Sequence, residues 1–369
     1  MSALTGTLVV SLEQAVAAPY ATRLLAEAGA RVIKIERDEG DFARAYDTVV
    51  NGESAYFIWL NAGKESLVLD VKNPADCELL SALLKKADVF IQNLRPCAVE
   101  RLGFSFDAVA ALNPRLVMCS ISGYGSTGPL AEMKAYDFLV QAETGLCSIT
   151  GTPTEATRCG VSICDISTGL TAYGEIMRAL LERTNTGRGQ HLEISLFDVM
   201  SEWMAVPLAY YKYGGKILTG TGLDHTQIAP YGAYETADGV IIIAVQNHRE
   251  WLSLCETLGR PALAHDERFK TNPLRVANRA ALKTELELFF TRHTRSELAE
   301  ILERGSIAYG RINSVKDVWS HAALKIKEVT SAGNTATFVR RVCDESTIPR
   351  TVPAVGAHTT AIRREFIDE

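Results

Sequence analysis

A chain of 369 residues, 47% hydrophobic and 22% charged, is long enough for two domains and apolar enough for a substantial core. Its net charge of −6 argues against nucleic acid as a partner, since phosphates call for a basic face, yet a local basic pocket remains compatible with it. No apolar run reaches the roughly 18 residues of a membrane span.

In chain order, Thr7 to Leu12 reads as a strand, Pro19 to Ala28 as a helix stopped by Gly29, and Arg31 to Glu36 (RVIKIE) as a second strand. Strand, helix and strand with short joints make a βαβ unit with parallel pairing. Leu67 to Val71, a helix from Ala75 to Ala87, and Val89 to Gln92 repeat the theme, and Leu116 to Ile121 adds a further strand. The fold class is therefore α/β: a large, doubly wound, Rossmann-like parallel-sheet domain over residues 1–210, whose ligand face lies at the strand C-termini. Residues 211–227 read as a linker around Gly214-Gly215. A smaller α/β domain spans 228–317, with a hairpin turning at Ala237-Asp238-Gly239. Beyond Val318 the chain reads as polar and irregular, with Pro349 and Pro353, a segment (318–369) expected to return to the large domain or a partner subunit.

The loop Gly123-Tyr124-Gly125-Ser126-Thr127-Gly128 fits GxGxxG after a strand, but Pro129 and a polar stretch follow where a helix should begin. The first βα turn, Glu13 to Pro19, lacks the glycines. A nicotinamide site is thus disfavoured, and a tight loop near the active site is the better reading. Eight cysteines (77, 97, 119, 147, 159, 164, 255 and 343) include no CxxC and no zinc-like cluster with histidine. They read as reduced, with no metal site, in a cytoplasmic setting, or in the mitochondrial matrix for a chain whose presequence has been removed. No signal sequence fits before the strand entered by Leu8.

From Gly160 to Asp198 the chain places a carboxylate, Asp165, at the head of a long helix. Ile166, Leu170, Tyr173, Ile176, Met177, Leu180 and Leu181 recur at helical spacing, and Gly187 and Gly189 end the helix before a strand from Gln190 to Leu196. An acid there is either an N-cap for the free N–H groups or a reactive group.

Six blocks in order resemble the class III CoA-transferases, the family of formyl-CoA transferase and α-methylacyl-CoA racemase. They are EQAVAAPYATRLLAEAGARVIKIER (13–37), LNAGKESLVLDVK (60–72), IQNLRPCAVERLGF (91–104), SGYGSTGP (122–129), AYDFLVQAETG (135–145) and CDISTGL through TGRGQ (164–190). The resemblance implies that Asp165 is the nucleophilic carboxylate. It implies that Val16 and Ala17 lie along CoA, that Arg37 and Arg101 meet its phosphates, and that Leu69 and Lys72 stand on the adenine side. Asn93, Leu94 and Arg95 match the next strand's loop, and Lys134, Tyr136 and Asp137 match the segment flanking the thioester. Arg and Lys at such positions suit phosphate oxygens; taken singly, each could be an ordinary surface charge, and Asn93 a loop cap.

The implied chemistry needs no prosthetic group, only a CoA thioester and a small carboxylic acid as substrates, and passes through an aspartyl anhydride and an aspartyl-CoA thioester. N–H groups of the Gly123–Gly128 loop or of the helix start at Asp165 are candidates to hold the thioester oxyanion. The implied assembly is an interlocked homodimer. Two departures narrow the activity. Tyr136 stands where the racemase branch carries a His proton-transfer group, which disfavours racemisation. Ala244-Val245-Gln246-Asn247-His248 replaces the glycine-rich flap of formyl-CoA transferase, which argues against oxalate and formate.

The wording of the EQAVAAP, GDFAR and YFIWLN segments most resembles members using short dicarboxylates, itaconate with succinyl-CoA as donor. Alternative acceptors are mesaconate, citramalate, malate and glutarate. The free carboxylate of such an acid wants a cationic or hydrogen-bonding partner, for which His225, Asn247 and Arg249 are candidates. Other classes left open are an acyl-CoA racemase and a non-catalytic acyl-CoA binder in which Asp165 is only a cap.

Overall fold

The computed structural model describes residues 2–342 and 350–367; Cys343 and Pro349 lie outside them. The chain divides into two compact units, one of Met1–Cys147, Arg158–Gly214 and Lys325–Glu369, the other of Ser148–Thr157 and Gly215–Leu324.

The first unit is organised by six parallel strands. These are β1 (Leu8–Leu12), β2 (Arg31–Glu36), β3 (Glu65–Val68), β4 (Val89–Gln92), β5 (Val117–Ser122) and β6 (His191–Ser195), in the spatial order β3-β2-β1-β4-β5-β6. The order reverses between β1 and β4, and in such sheets that crevice at the strand C-termini is where ligands bind. Both faces are covered. Helices α1 (Ala17–Glu27) and α4 (Ile163–Thr186) pack on one side with Val9, Val32, Ile91, Cys119 and Ile194. On the other, α2 (Pro74–Lys86) buries Leu79, Leu80, Leu83 and Leu84 against Val10, Ile33, Leu67 and Phe90. Between β5 and α4 lies the short helix α3 (Asp137–Glu143). Asn73 and Pro74 start α2 as a cap and an N1 proline, and Gly187 ends α4 at φ +70°.

The buried stripe of α4 matches the expected one in part: Ile176 and Leu180 are buried and Tyr173 and Met177 pack against the core, but Leu170 and Leu181 are exposed, and at the N-terminal end the seam runs through Cys164, Ser167, Thr168, Gly169 and Ala172. Small residues win because α1 comes so close: a Cβ on Gly169 would stand 2.5 Å from the Ala17 carbonyl oxygen and 2.9 Å from Tyr20 Cβ.

The stretch after Val318 is not irregular. Ile326–Ser331 pairs antiparallel with Asn334–Val339 and parallel with Arg350–Thr351, and helix Thr359–Ile367 buries Ile362 and Phe366 in the α2 core. Alternation in IKEVTS and NTATFV, joined at Ala332-Gly333 with both residues at positive φ, dictates the hairpin. The expected linker 211–227 is also divided: residues 211–214 end helix Ala205–Gly214 of the first unit, and from Gly215 the chain belongs to the second.

The second unit holds a three-stranded antiparallel sheet, Ala308–Arg311, Gly239–Ala244 and Tyr231–Thr236, with helices around a core of Trp251, Phe269, Leu286 and Phe290. Among the described residues no helix is long and apolar enough to cross a membrane, and no cluster of His, Cys, Asp or Glu could hold a metal ion.

Candidate active site

The loops leaving β1, β4 and β5 open a cavity of about 750 Å³ in the first unit. Gln14, Ala15, Val16 and Ala17 come from the β1 end, Asn93, Leu94, Arg95 and Pro96 from the β4 end, and Ser122 and Gly123 from the β5 end. Segment 131–138 and the start of α4, with Ser162 and Asp165, complete the wall with Phe42, Tyr46, Asp47, Tyr56 and Arg158. A Cβ on Gly123 would collide with Ala135, so only glycine lets segment 131–138 lie against the β5 loop.

Asp165 lies inside the first turn of α4, half-buried. It is not the cap. Asp137 is: its Oδ1 accepts the N–H groups of Cys164 (2.8 Å) and Asp165 (3.2 Å), and its Oδ2 accepts from Gln141 Nε2 (2.8 Å). Among the described residues no donor bonds the Asp165 carboxylate. Burial, and then the Asp137 charge, push it up to about 7. A poorly solvated carboxylate without hydrogen bonds is more basic and more nucleophilic than a solvated one. The Tyr46 phenol, pushed up to about 12 by burial and by the charges of Asp41 and Asp165, keeps its proton on the same wall. The N–H groups of Cys164 and Asp165 are spent on Asp137, and that of Gly125 on Ser122 Oγ, which removes these three as oxyanion donors.

Beneath the β1 loop lies a sealed ionic cluster. Glu13 Oε1 sits 2.7 Å from Lys64 Nζ and 3.5 Å from Lys34 Nζ, and Lys34 Nζ 2.7 Å from Asp41 Oδ2, all with side chains fully buried. Burial opposes ionisation of Glu13, but the two lysines hold its carboxyl below the usual range; burial pulls Lys64 down to about 8. Asp41 Oδ1 accepts the N–H of Ala15 (3.2 Å), whose φ of +61° a non-glycine residue seldom adopts. Asn93 grips the neighbouring peptide, accepting from Gln14 N (3.0 Å) and donating to Gln14 O (2.9 Å). That is the capping reading of Asn93.

Of the residues singled out from the sequence, Val16, Ala17, Asn93, Leu94, Arg95, Lys134, Tyr136, Asp137 and Asp165 share the cavity. Arg37, Leu69, Lys72 and Arg101 do not line it. Arg37 is exposed after β2, Leu69 is buried after β3 with exposed Lys72 beyond it, and Arg101 is exposed at the end of helix Ala98–Arg101. The strand order nevertheless sets Lys72, Arg37, Ala17 and Arg95 along one C-terminal edge. His225 and Asn247 belong to the second unit and have local tasks: His225 Nδ1 accepts from Gln227 N (3.1 Å) with its ring stacked on Tyr231, and Asn247 caps helix His248–Thr257. Gln14, Phe42, Tyr46, Tyr56 and Arg158 went unmarked in the sequence; the aromatic run Phe42, Tyr46, Tyr56 was its one visible signal.

The model of CoA-transferase family III matches residues 4–359. A succinate–glutarate CoA-transferase of Agrobacterium fabrum is 34% identical, over 98% of this chain and 95% of that one. An acetyl-CoA:oxalate CoA-transferase of Acetobacter aceti is 36% identical, over 85% of this chain and 81% of that one. Among solved structures, a CaiB/BaiF family protein from Brucella suis superposes with a TM-score of 0.83 at 36% identity, covering 99% of both chains.

Proposed function

The chain belongs to CoA-transferase family III, and on that premise we propose that it moves CoA from succinyl-CoA to a short dicarboxylate through covalent adducts on Asp165. One observation carries the proposal: a carboxylate on the cavity wall that accepts no hydrogen bond among the described residues, while a second carboxylate, Asp137, caps its helix. The non-catalytic reading, in which Asp165 is a cap, loses its basis.

The steps are as follows. An Asp165 oxygen attacks the thioester carbon, the C–S bond breaks, and CoA thiolate leaves an aspartyl-acyl anhydride. The thiolate attacks the aspartyl carbon, releasing the donor acid and leaving aspartyl-CoA. The acceptor carboxylate displaces the thiolate, forming a second anhydride, and the thiolate then attacks the acceptor acyl carbon to free Asp165. Bond energy passes from one activated carbonyl to the next, so the protein's task is to position the groups and exclude water. The Tyr46 hydroxyl, on the same wall and within electrostatic reach of Asp165, is a neutral donor for charge building there.

CoA runs along the C-terminal edge of the sheet. Its thioester lies by Val16 and Ala17 over β1, and its nucleotide phosphates lie toward Arg37, one strand away, and Lys72, two strands away, at about 4.8 Å per strand. Arg101, beyond β4, serves as a second phosphate contact, and Lys134, Tyr136 and Asp137 flank the thioester. For the acceptor, we read a five-carbon diacid. Itaconate is the reading from the sequence, and glutarate is the acid in the name of the Agrobacterium relative.

The same reading includes an interlocked homodimer. It is supported by helix Ala205–Gly214, which buries none of its residues within the chain and exposes Val206, Leu208, Tyr211 and Tyr213. Incubation with succinyl-CoA, trapping with hydroxylamine and peptide mass analysis tests the mechanism. The expected result is a hydroxamate on Asp165, and modification at any other residue refutes it.

A further inference from the structure

The diacid reading leaves a question: what recognises the carboxylate that does not react. Three cations line the cavity, Arg95, Lys134 and Arg158. Arg95 follows β4, across β1 from Arg37 and Lys72, and Lys134 lies in the 131–138 segment assigned above to flank the thioester. Arg158 lies seven residues ahead of Asp165, on the segment entering α4. Its Nε donates to the Cys159 carbonyl (3.2 Å), and its guanidinium lies over the Phe138 ring, 5.3 Å from the centroid. These contacts orient the exposed guanidinium. Both terminal nitrogens are left without a hydrogen bond, and no carboxylate pairs with Arg158 among the described residues. A planar pair of parallel donors with its third nitrogen already anchored matches a carboxylate in two-pronged fashion.

We propose that Arg158 is the specificity-determining cation that holds the free carboxylate of the diacid while its other carboxylate reacts at Asp165. The inference rests on the transferase reading above. It also accounts for the donor, because succinyl-CoA carries a free carboxylate of its own. One cation then serves both half-reactions, and acids with a single carboxylate forfeit the contact.

The test compares glutarate with pentanoate, acids of equal length that differ in the distal carboxylate, using succinyl-CoA as donor in both cases. In a double-displacement scheme kcat/KM for the acceptor reports only the second half-reaction, so any effect of the substitution on the donor drops out. Arg158→Gln is expected to cut the glutarate-to-pentanoate ratio of kcat/KM about 10-fold or more, the usual scale for a charged hydrogen bond, and Arg158→Lys to recover part of it. An unchanged ratio in an active Arg158→Gln enzyme overturns the proposal and leaves the transferase reading standing. Absence of CoA transfer to any diacid by the unsubstituted enzyme overturns the reading itself, and the proposal with it.

Discussion

Asp137 accepts the backbone N–H groups of Cys164 and Asp165, so the two carboxylates face one helix start with opposite assignments. One is consumed by hydrogen bonds. The other is left bare, raised toward neutrality, and exposed to the cavity.

Replacement of the bare group should separate activity from stability. Asp165→Asn is expected to lower the CoA-transfer rate by about 10³-fold or more, as for loss of a covalent nucleophile. The carboxyl is harder to ionise in the fold than in the unfolded chain, so stability falls as pH rises from near 3.8 to about 7 and stays reduced above that. Asp165→Asn should therefore melt higher by about 2–4 °C at pH 8 and show no such gain at pH 4. Calorimetry at the two pH values checks this.

On the proposed mechanism Asp165 attacks in its ionised form, so kcat/KM for the acyl-CoA should fall as pH drops through about 7. Burial is the larger cause of the raised value and the Asp137 charge the second. Asp137→Asn should thus move the acid limb of the profile to lower pH without bringing it to the ordinary carboxylate range. A limb that moves upward would contradict the assignment.

The ionic cluster under the β1 loop predicts a stability defect with a kinetic signature. Asp41→Ala leaves Lys34 buried beside fewer counter-charges and frees the Ala15 N–H. Loss of one partner of a buried pair costs about 3–5 kcal/mol. Urea unfolding should show it, and KM for acyl-CoA should rise as the loop loses its anchor.

Two glycines of α4 supply an internal comparison. Gly169→Ala drives a methyl group into the Ala17 carbonyl and Tyr20, and should destabilise by about 1–3 kcal/mol. Nothing lies within 4 Å of a Cβ at Gly174, so Gly174→Ala should be neutral or gain up to about 1 kcal/mol. Thermal melts of the pair distinguish crowding from helix propensity.

The parallel sheet was legible because each strand is a short apolar run punctuated by Gly, Asn or Pro; Arg31–Glu36 and Val89–Gln92 match to the residue. Lys34 and Glu36 were not legible as buried, because their partners Glu13, Asp41 and Arg44 come from other segments and nothing local in RVIKIE marks them. The hairpin at Ala332-Gly333 was missed because its strands are polar on their outward faces, although their alternation was present. The capping role of Asp137 depends on a contact across 27 residues, which no local pattern reveals. Arg158 was hidden for a different reason: it sits in irregular chain, where periodicity offers no guide.

The loop after β1 is held through its main chain, by Asn93 from one side and Asp41 from beneath. The Gln14 and Ala15 side chains are therefore not what keeps it in shape. Selection can exchange them to suit a new ligand while the cavity floor they stand on stays where it was.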